Sequence, residues 1–197
     1  SSYSSGRTTC IVLQVGESIS IVNPIYEGKI EQQGYRKVNY AGRDVNEYLI
    51  RILTESGHFF STSEEKEMAR DIKEKYGYVA LDYDHEIQKS SELDVSYNTC
   101  HGENITISSE RFRCTEVLFK PHFIQKEEDG IDRILFDSIL STDEYVQRDL
   151  FANIVVSGGS TLFKGFSERI QQEIERLALS YNPISKIKVV AAPDRKY

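Results

Sequence analysis

The segment Asn153-Ile-Val-Val-Ser-Gly-Gly-Ser-Thr-Leu-Phe-Lys-Gly-Phe166 decides the fold. Ile154, Val155 and Val156 form a β-branched block of the kind found in strands buried on both faces. Ser157-Gly158-Gly159 halts that strand with residues that accept unusual backbone angles and let a ligand come close to the main chain. Ser160 or Thr161 is placed to cap a following helix, whose apolar positions Phe166, Ile170, Ile174 and Leu177 recur at helical spacing to about Leu179. Strand, glycine turn and helix start, in this order, aim amide N–H groups and the positive end of a helix dipole at one spot. That geometry suits a phosphate or the edge of a nucleotide. A tight βα turn with no ligand accounts for the same residues equally well, because two glycines fall short of a full phosphate-loop signature.

Working outward, Thr8–Leu13 and Ile19–Val22 are β-rich, and Gly16-Glu17-Ser18 between them predicts a hairpin. This second turn can also face a phosphate, or be only a turn. Tyr35–Tyr40 and Tyr78–Tyr83 read as short strands, Ser96–Thr99 and Ile105–Ile107 as a hairpin, and Ile187–Ala191 as the last strand. A helix is expected from Gly42 to Gly57, with Asp44 near its positive end and Val45, Tyr48, Leu49, Ile52 and Leu53 in its apolar stripe. Ser61-Thr-Ser63 caps a second helix running to about Tyr76, and further helices follow over 131–139 and 143–151. The second helix is densely charged and carries Arg70, Lys73 and Glu74. A solvated face explains such a run without any function.

The 197 residues suffice for one large domain or two small ones. No apolar run approaches the ~20 residues of a membrane helix, and Ser1-Ser-Tyr-Ser-Ser-Gly6 has no apolar core of the signal-peptide kind. A net charge of −7 argues against nucleic acid or an anionic membrane as the main partner. Cys10, Cys100 and Cys114 lack C-x-x-C spacing, and His58, His85, His101 and His122 are scattered, so neither a disulfide framework nor a metal site is expected. The last strand runs into Pro193-Asp-Arg-Lys-Tyr197 with no closing helix, the pattern of a piece of a longer fold or of a shortened protein.

Ser5-Gly-Arg-Thr-Thr9, Pro24-Ile-Tyr-Glu-Gly28, Ala41-Gly-Arg-Asp44, Asp71-Ile-Lys-Glu-Lys75, Tyr78-Val-Ala-Leu-Asp82, Glu110-Arg-Phe-Arg-Cys114, Ser157-Gly-Gly-Ser-Thr161 and Lys196-Tyr197 together resemble the actin family. The resemblance covers essentially the whole chain, but only about the second half of an actin. Ser160–Phe166 is closer to the dynactin-type actin-related subunit than to conventional actin. What the resemblance implies is an α/β fold, one lobe of the actin-like ATPase (ribonuclease H-like) architecture with an inserted, mainly helical subdomain. Residues 1–40 and 127–197 would form the layer similar to actin subdomain three, and 41–126 the inserted region similar to subdomain four.

The same resemblance implies an adenine-nucleotide cleft, with ATP or ADP and magnesium as the cofactor. Gly158 and Gly159 match the backbone facing phosphates and adenine, Lys73 and Glu74 the pair beside base and ribose, and Arg70 lies one turn earlier. Gly42 matches the glycine near the ribose, Lys196 the lysine flanking adenine, and Phe163 stands where a tyrosine is usual. On the phosphate side Gln14-Val-Gly16-Glu17-Ser18 aligns with the family's Asp-Ser-Gly-Asp-Gly, so Gly16 and Glu17 are kept. Gln14 removes a carboxylate that holds water around the metal. Ser18 replaces a wrapping glycine, and Ile21 a histidine that organises the attacking water. The resemblance therefore implies weak or no nucleotide binding by this chain alone, no catalytic residue and no ATP hydrolysis.

By the same resemblance the chain is a cytoplasmic, cytoskeletal structural protein docking in a filament or larger assembly, with other actin-family subunits and actin-binding proteins as partners. The alternatives are an ATPase completed by its other lobe and a stand-alone half-actin binding module. The loop Phe123-Ile-Gln-Lys-Glu-Glu-Asp-Gly130 is charged where the family's is apolar, and Lys126, Glu127 and Glu128 would be costly to bury in a filament unless paired.

Overall fold

The computed structural model describes residues 9–181 and 186–192. Its elements, in chain order, are β1 (Cys10–Val15), β2 (Ser20–Tyr26), β3 (Lys29–Ile30), β4 (Arg36–Val38), α1 (Gly42–Glu55), α2 (Ser63–Tyr76), α3 (Tyr83–Gln88), β5 (Val95–Asn98), β6 (Asn104–Ile107), α4 (Glu110–Arg113), α5 (Ile131–Leu140), α6 (Glu144–Phe151), β7 (Ile154–Ser157), α7 (Phe166–Leu179) and β8 (Val189–Ala191).

β1 and β2 form the expected antiparallel hairpin, in register from Cys10↔Ile25 to Val15↔Ser20. Ile11, Leu13 and Val15 turn inward and are fully buried, while Gln14 is exposed. β7 lies parallel to β1 and β8 parallel to β7, giving the order β3-β2-β1-β7-β8 with β4 added on β2. Because β1 and β7 run the same way, with Gln14 opposite Ser157, the turns that leave their carboxyl ends lie side by side. Ligands of open α/β sheets bind at such strand ends. β5 and β6 make a separate two-stranded sheet.

The helices form where local chemistry demands. In α1, Val45, Leu49, Ile52 and Leu53 are buried, Asp44 reaches back to the Ala41 amide at 2.9 Å, and Gly57 leaves the helix at φ +95°. In α2, Thr62 and Glu65 form a reciprocal capping box, and the amides of Thr62 and Ser61 pull the Glu65 carboxyl down to about 2. The apolar faces join one contiguous core that includes Ile11, Leu13, Leu49, Leu118, Leu135, Phe166 and Ile174. Inside it Arg169 grips Glu116 through two bonds of 2.8 and 3.0 Å.

Two expectations fail. Tyr78–Tyr83 is not a strand: Tyr78 makes a single bridge to Lys164, and Asp82 then caps α3 by accepting the His85 amide. Nor do Ser160 and Thr161 cap a helix. Residues 159–162 form one 3₁₀ turn, and α7 begins only at Phe166, after Gly165 at φ +85°. A Cβ on Gly165 would lie 2.5 Å from the Val79 carbonyl oxygen, so the close approach of that segment delays the helix.

Candidate functional site

Three turns converge at the carboxyl ends of β1 and β7. The Gly16 carbonyl accepts from the Gly42 amide at 3.0 Å and from Ser160 Oγ at 2.9 Å, and the Glu17 carbonyl accepts from the Arg43 amide at 2.7 Å. The hairpin loop thereby takes the first two amides of α1, which are not left for an anion. Gly42 has no room for a side chain: its Cβ would meet Ser160 Oγ at 2.6 Å and a Glu17 carboxylate oxygen at 3.3 Å. Gly158 is fixed even more tightly, at φ +97° with a would-be Cβ only 2.3 Å from the Val15 carbonyl oxygen. Its glycine is required by β1, whereas Gly159 faces open space.

Lys73 projects from α2 into this junction and is 7% exposed. Its Nζ donates one long bond, 3.4 Å, to the Gly42 carbonyl. An ammonium has three donors, and no other protein acceptor engages it among the described residues. Burial holds its pKa below the ordinary lysine value; Glu17 opposes that effect and Arg70 adds to it. Cys114 lies behind it, fully buried, its thiol pushed up to about 12 by desolvation, with Lys73 the leading opposing influence.

Phe163 reaches the end of the helix that carries Lys73. Gly77 ends α2 by donating to the Lys73 carbonyl, and a Cβ there would meet the Phe163 ring at 3.0 Å. The ring thus rests on the end of α2, one turn past Lys73. Arg70 and Glu74 pair with each other at 3.5 Å on the exposed face of α2. They reach Lys73 only as neighbouring charges. Lys196 lies outside the described residues.

The structure therefore gathers Gly16, Glu17, Gly42, Lys73 and Gly158, leaves Gly159 open beside them, sets Phe163 against the end of α2, and leaves Arg70 and Glu74 exposed to solvent. Gln14 stands directly opposite Ile21 across the hairpin. An amide and a hydrocarbon occupy that pair, and among the described residues no group of three His, Cys, Asp or Glu side chains could hold a metal ion. Two participants escape the sequence. Ser160 ties the two turns together across 144 residues, and the buried Cys114 is close enough to Lys73 for each to influence the other's charge. Nothing local marks either. The charged loop is also accounted for in part, since Lys126 bonds the Asn39 carbonyl and pairs with Asp44 at 3.4 Å.

Comparison with known proteins gives the same direction. The family model described as Actin matches residues 1–197. A curated "Actin-like protein" of Neurospora crassa is 43% identical over 201 residues, covering 99% of this chain and 52% of that protein. The chain thus spans about half the length of this relative.

Proposed function

Since this chain belongs to the actin family, we propose that it is the nucleotide-edge lobe of an actin-related structural subunit, docking in a filament or larger cytoskeletal assembly and holding an adenine nucleotide weakly without cleaving it. The observation that carries the reading is Lys73: a buried ammonium with one long hydrogen bond, between the Gly42 carbonyl and Glu17. A buried charge this poorly satisfied costs free energy unless a ligand completes it. A ribose hydroxyl or adenine ring nitrogen supplies the missing acceptor, Phe163 supplies an apolar ring for the base, and Gly159 leaves room for close approach.

The residues fit the adenosine side of such a cofactor and not its magnesium–phosphate side. At the carboxyl end of β1, Gln14 offers no carboxylate to order water around a cation, and Ile21 opposite it cannot orient an attacking water. The α1 amides nearest the loop are already engaged. Binding without turnover follows, and assembly becomes the use of the fold. In this reading residues 1–40 and 127–197 form one subdomain and 41–126 an inserted one, with cytoplasmic actin-family subunits and actin-binding proteins as partners. Sedimentation with and without actin filaments tests the assembly role. Saturable co-pelleting of the folded chain is expected, and a chain that stays in the supernatant at all filament concentrations contradicts it.

A further inference from the structure

A cavity of about 320 Å³ opens between α7, the start of α5 and the segment around Asp82–Asp84, and it shares no lining residue with the glycine-turn site. Its walls carry three cations, each already engaged. Arg169 is paired with Glu116 at 2.8 Å and Glu173 at 3.0 Å, Arg176 with Glu173 at 2.7 Å, and Lys120 with Glu116 at 3.6 Å. The three aspartates of the lining have no ion-pair partner: no Lys, Arg or His side-chain nitrogen lies within 4 Å of the carboxylates of Asp82, Asp84 or Asp132 among the described residues, and Asp82 accepts only the His85 amide that caps α3.

Asp132 is the telling one. It is 8% exposed and lines the cavity, yet it has no ion-pair partner: the amides of Asp132 and Arg133 in its own helical turn meet its carboxylate, Glu173 repels it, and Arg169 attracts it more weakly from beyond ion-pair distance. Burying a carboxylate without a counter-charge is unfavourable, and the usual remedy is a cation. The aromatic walls already hold cations on their faces, with the Arg169 guanidinium 4.5 Å from the Phe119 ring centre and Lys120 Nζ 4.8 Å from that of Tyr83. The volume lies at the lower end of small-ligand pockets, enough for one head group and a short stem.

We propose that this cavity is a binding site for an organic cation, a guanidinium or ammonium head group, with Asp132 at its base and Asp82 and Asp84 at its rim. The charge left over by the internal ion pairs selects the sign of the ligand, and the Arg169–Phe119 and Lys120–Tyr83 pairs show that this wall accommodates organic cations. The head group comes from a free amine or from a basic side chain of a partner protein; the site chemistry is the same.

The test titrates the intact chain with N-acetylarginine amide, following amide NMR shifts of α5 and α7, with the neutral isostere N-acetylcitrulline amide as control. Saturable shifts with the arginine probe and none with the citrulline probe are expected, and Asp132→Asn should weaken binding by about tenfold or more. Asp84→Lys, at an exposed position that cannot unfold the core, should weaken it severalfold. Tighter binding of the tripeptide Gly-Arg-Gly than of the amide assigns the head group to a partner chain, and equal binding assigns it to a free amine. Equal affinity for the arginine and citrulline probes, or an undiminished arginine affinity in folded Asp132→Asn, overturns the proposal.

Discussion

Replacing Lys73 by methionine separates a ligand-directed lysine from a structural one. Methionine keeps most of the stem and removes the ammonium. The folded chain loses one 3.4 Å bond to Gly42, about 0.5–1.5 kcal/mol for a hydrogen bond of this kind at most. It is relieved of the desolvation penalty that holds the Lys73 pKa down. Glu17 is exposed, so the variant leaves no buried carboxylate unpaired. The two contributions have opposite signs, and the melting temperature should move by less than about 4 °C in either direction. Adenosine nucleotide binding should fall about tenfold to a hundredfold, the loss of a hydrogen bond from a charged donor. The pH dependence carries the same signature. A lysine whose pKa is lowered on folding disfavours the folded state while protonated, so wild-type stability should rise as pH climbs from the depressed value toward 10.5, and the methionine variant should lack that rise. Thermal melts at several pH values and calorimetric titration of ADP read both effects. A large loss of stability in Lys73→Met, with nucleotide affinity unchanged, refutes the reasoning and makes the ammonium a structural strut.

The buried pair should behave oppositely: Arg169→Met alone leaves Glu116 without its bidentate partner and should cost about 3–5 kcal/mol in urea unfolding, much of it recovered when Glu116→Leu is added. Gly158→Ala, at φ +97° and against the Val15 carbonyl, should cost about 2 kcal/mol or more, whereas Gly159→Ala, with open space around it, should cost under about 1 kcal/mol; paired melts compare them directly. Asp132 is pushed up to about 6 chiefly by burial, then by Glu173, from 3.8 in the unfolded chain. The folded state therefore loses stability as pH rises from about 4 to about 6, and Asp132→Asn should be the more stable protein at pH 7, with the gap closing below about pH 4.

The parts readable from the sequence are those whose causes lie within a few residues. The capping box of Thr62 with Glu65, the stripe of α1 and the glycine at position 57 each fix their element locally, and the β1–β2 hairpin follows from alternating burial around Gly16. The start of α7 was hidden because it is set by Val79, which presses on Gly165 from more than eighty residues away and holds back a helix that Ser160 and Thr161 could otherwise begin. Tyr78–Tyr83 has the composition of a strand but finds only one bridging residue, Lys164, to pair with. At the site, the motifs identified the glycines and Lys73 through resemblance, while the poor satisfaction of Lys73 and the tie from Ser160 to Gly16 exist only in three dimensions. Arg70 and Glu74 show the converse: their spacing predicts the i,i+4 pair that is observed on the exposed side of α2.

Binding without cleavage is open to a single titration. Purified chain is titrated with ATP and magnesium by calorimetry while phosphate release is followed in the same samples. Adenosine contacts from half a cleft, without a metal-holding carboxylate at Gln14, should give saturable binding with a dissociation constant above about 10 μM and no steady phosphate release. Submicromolar binding accompanied by continuous release contradicts the account.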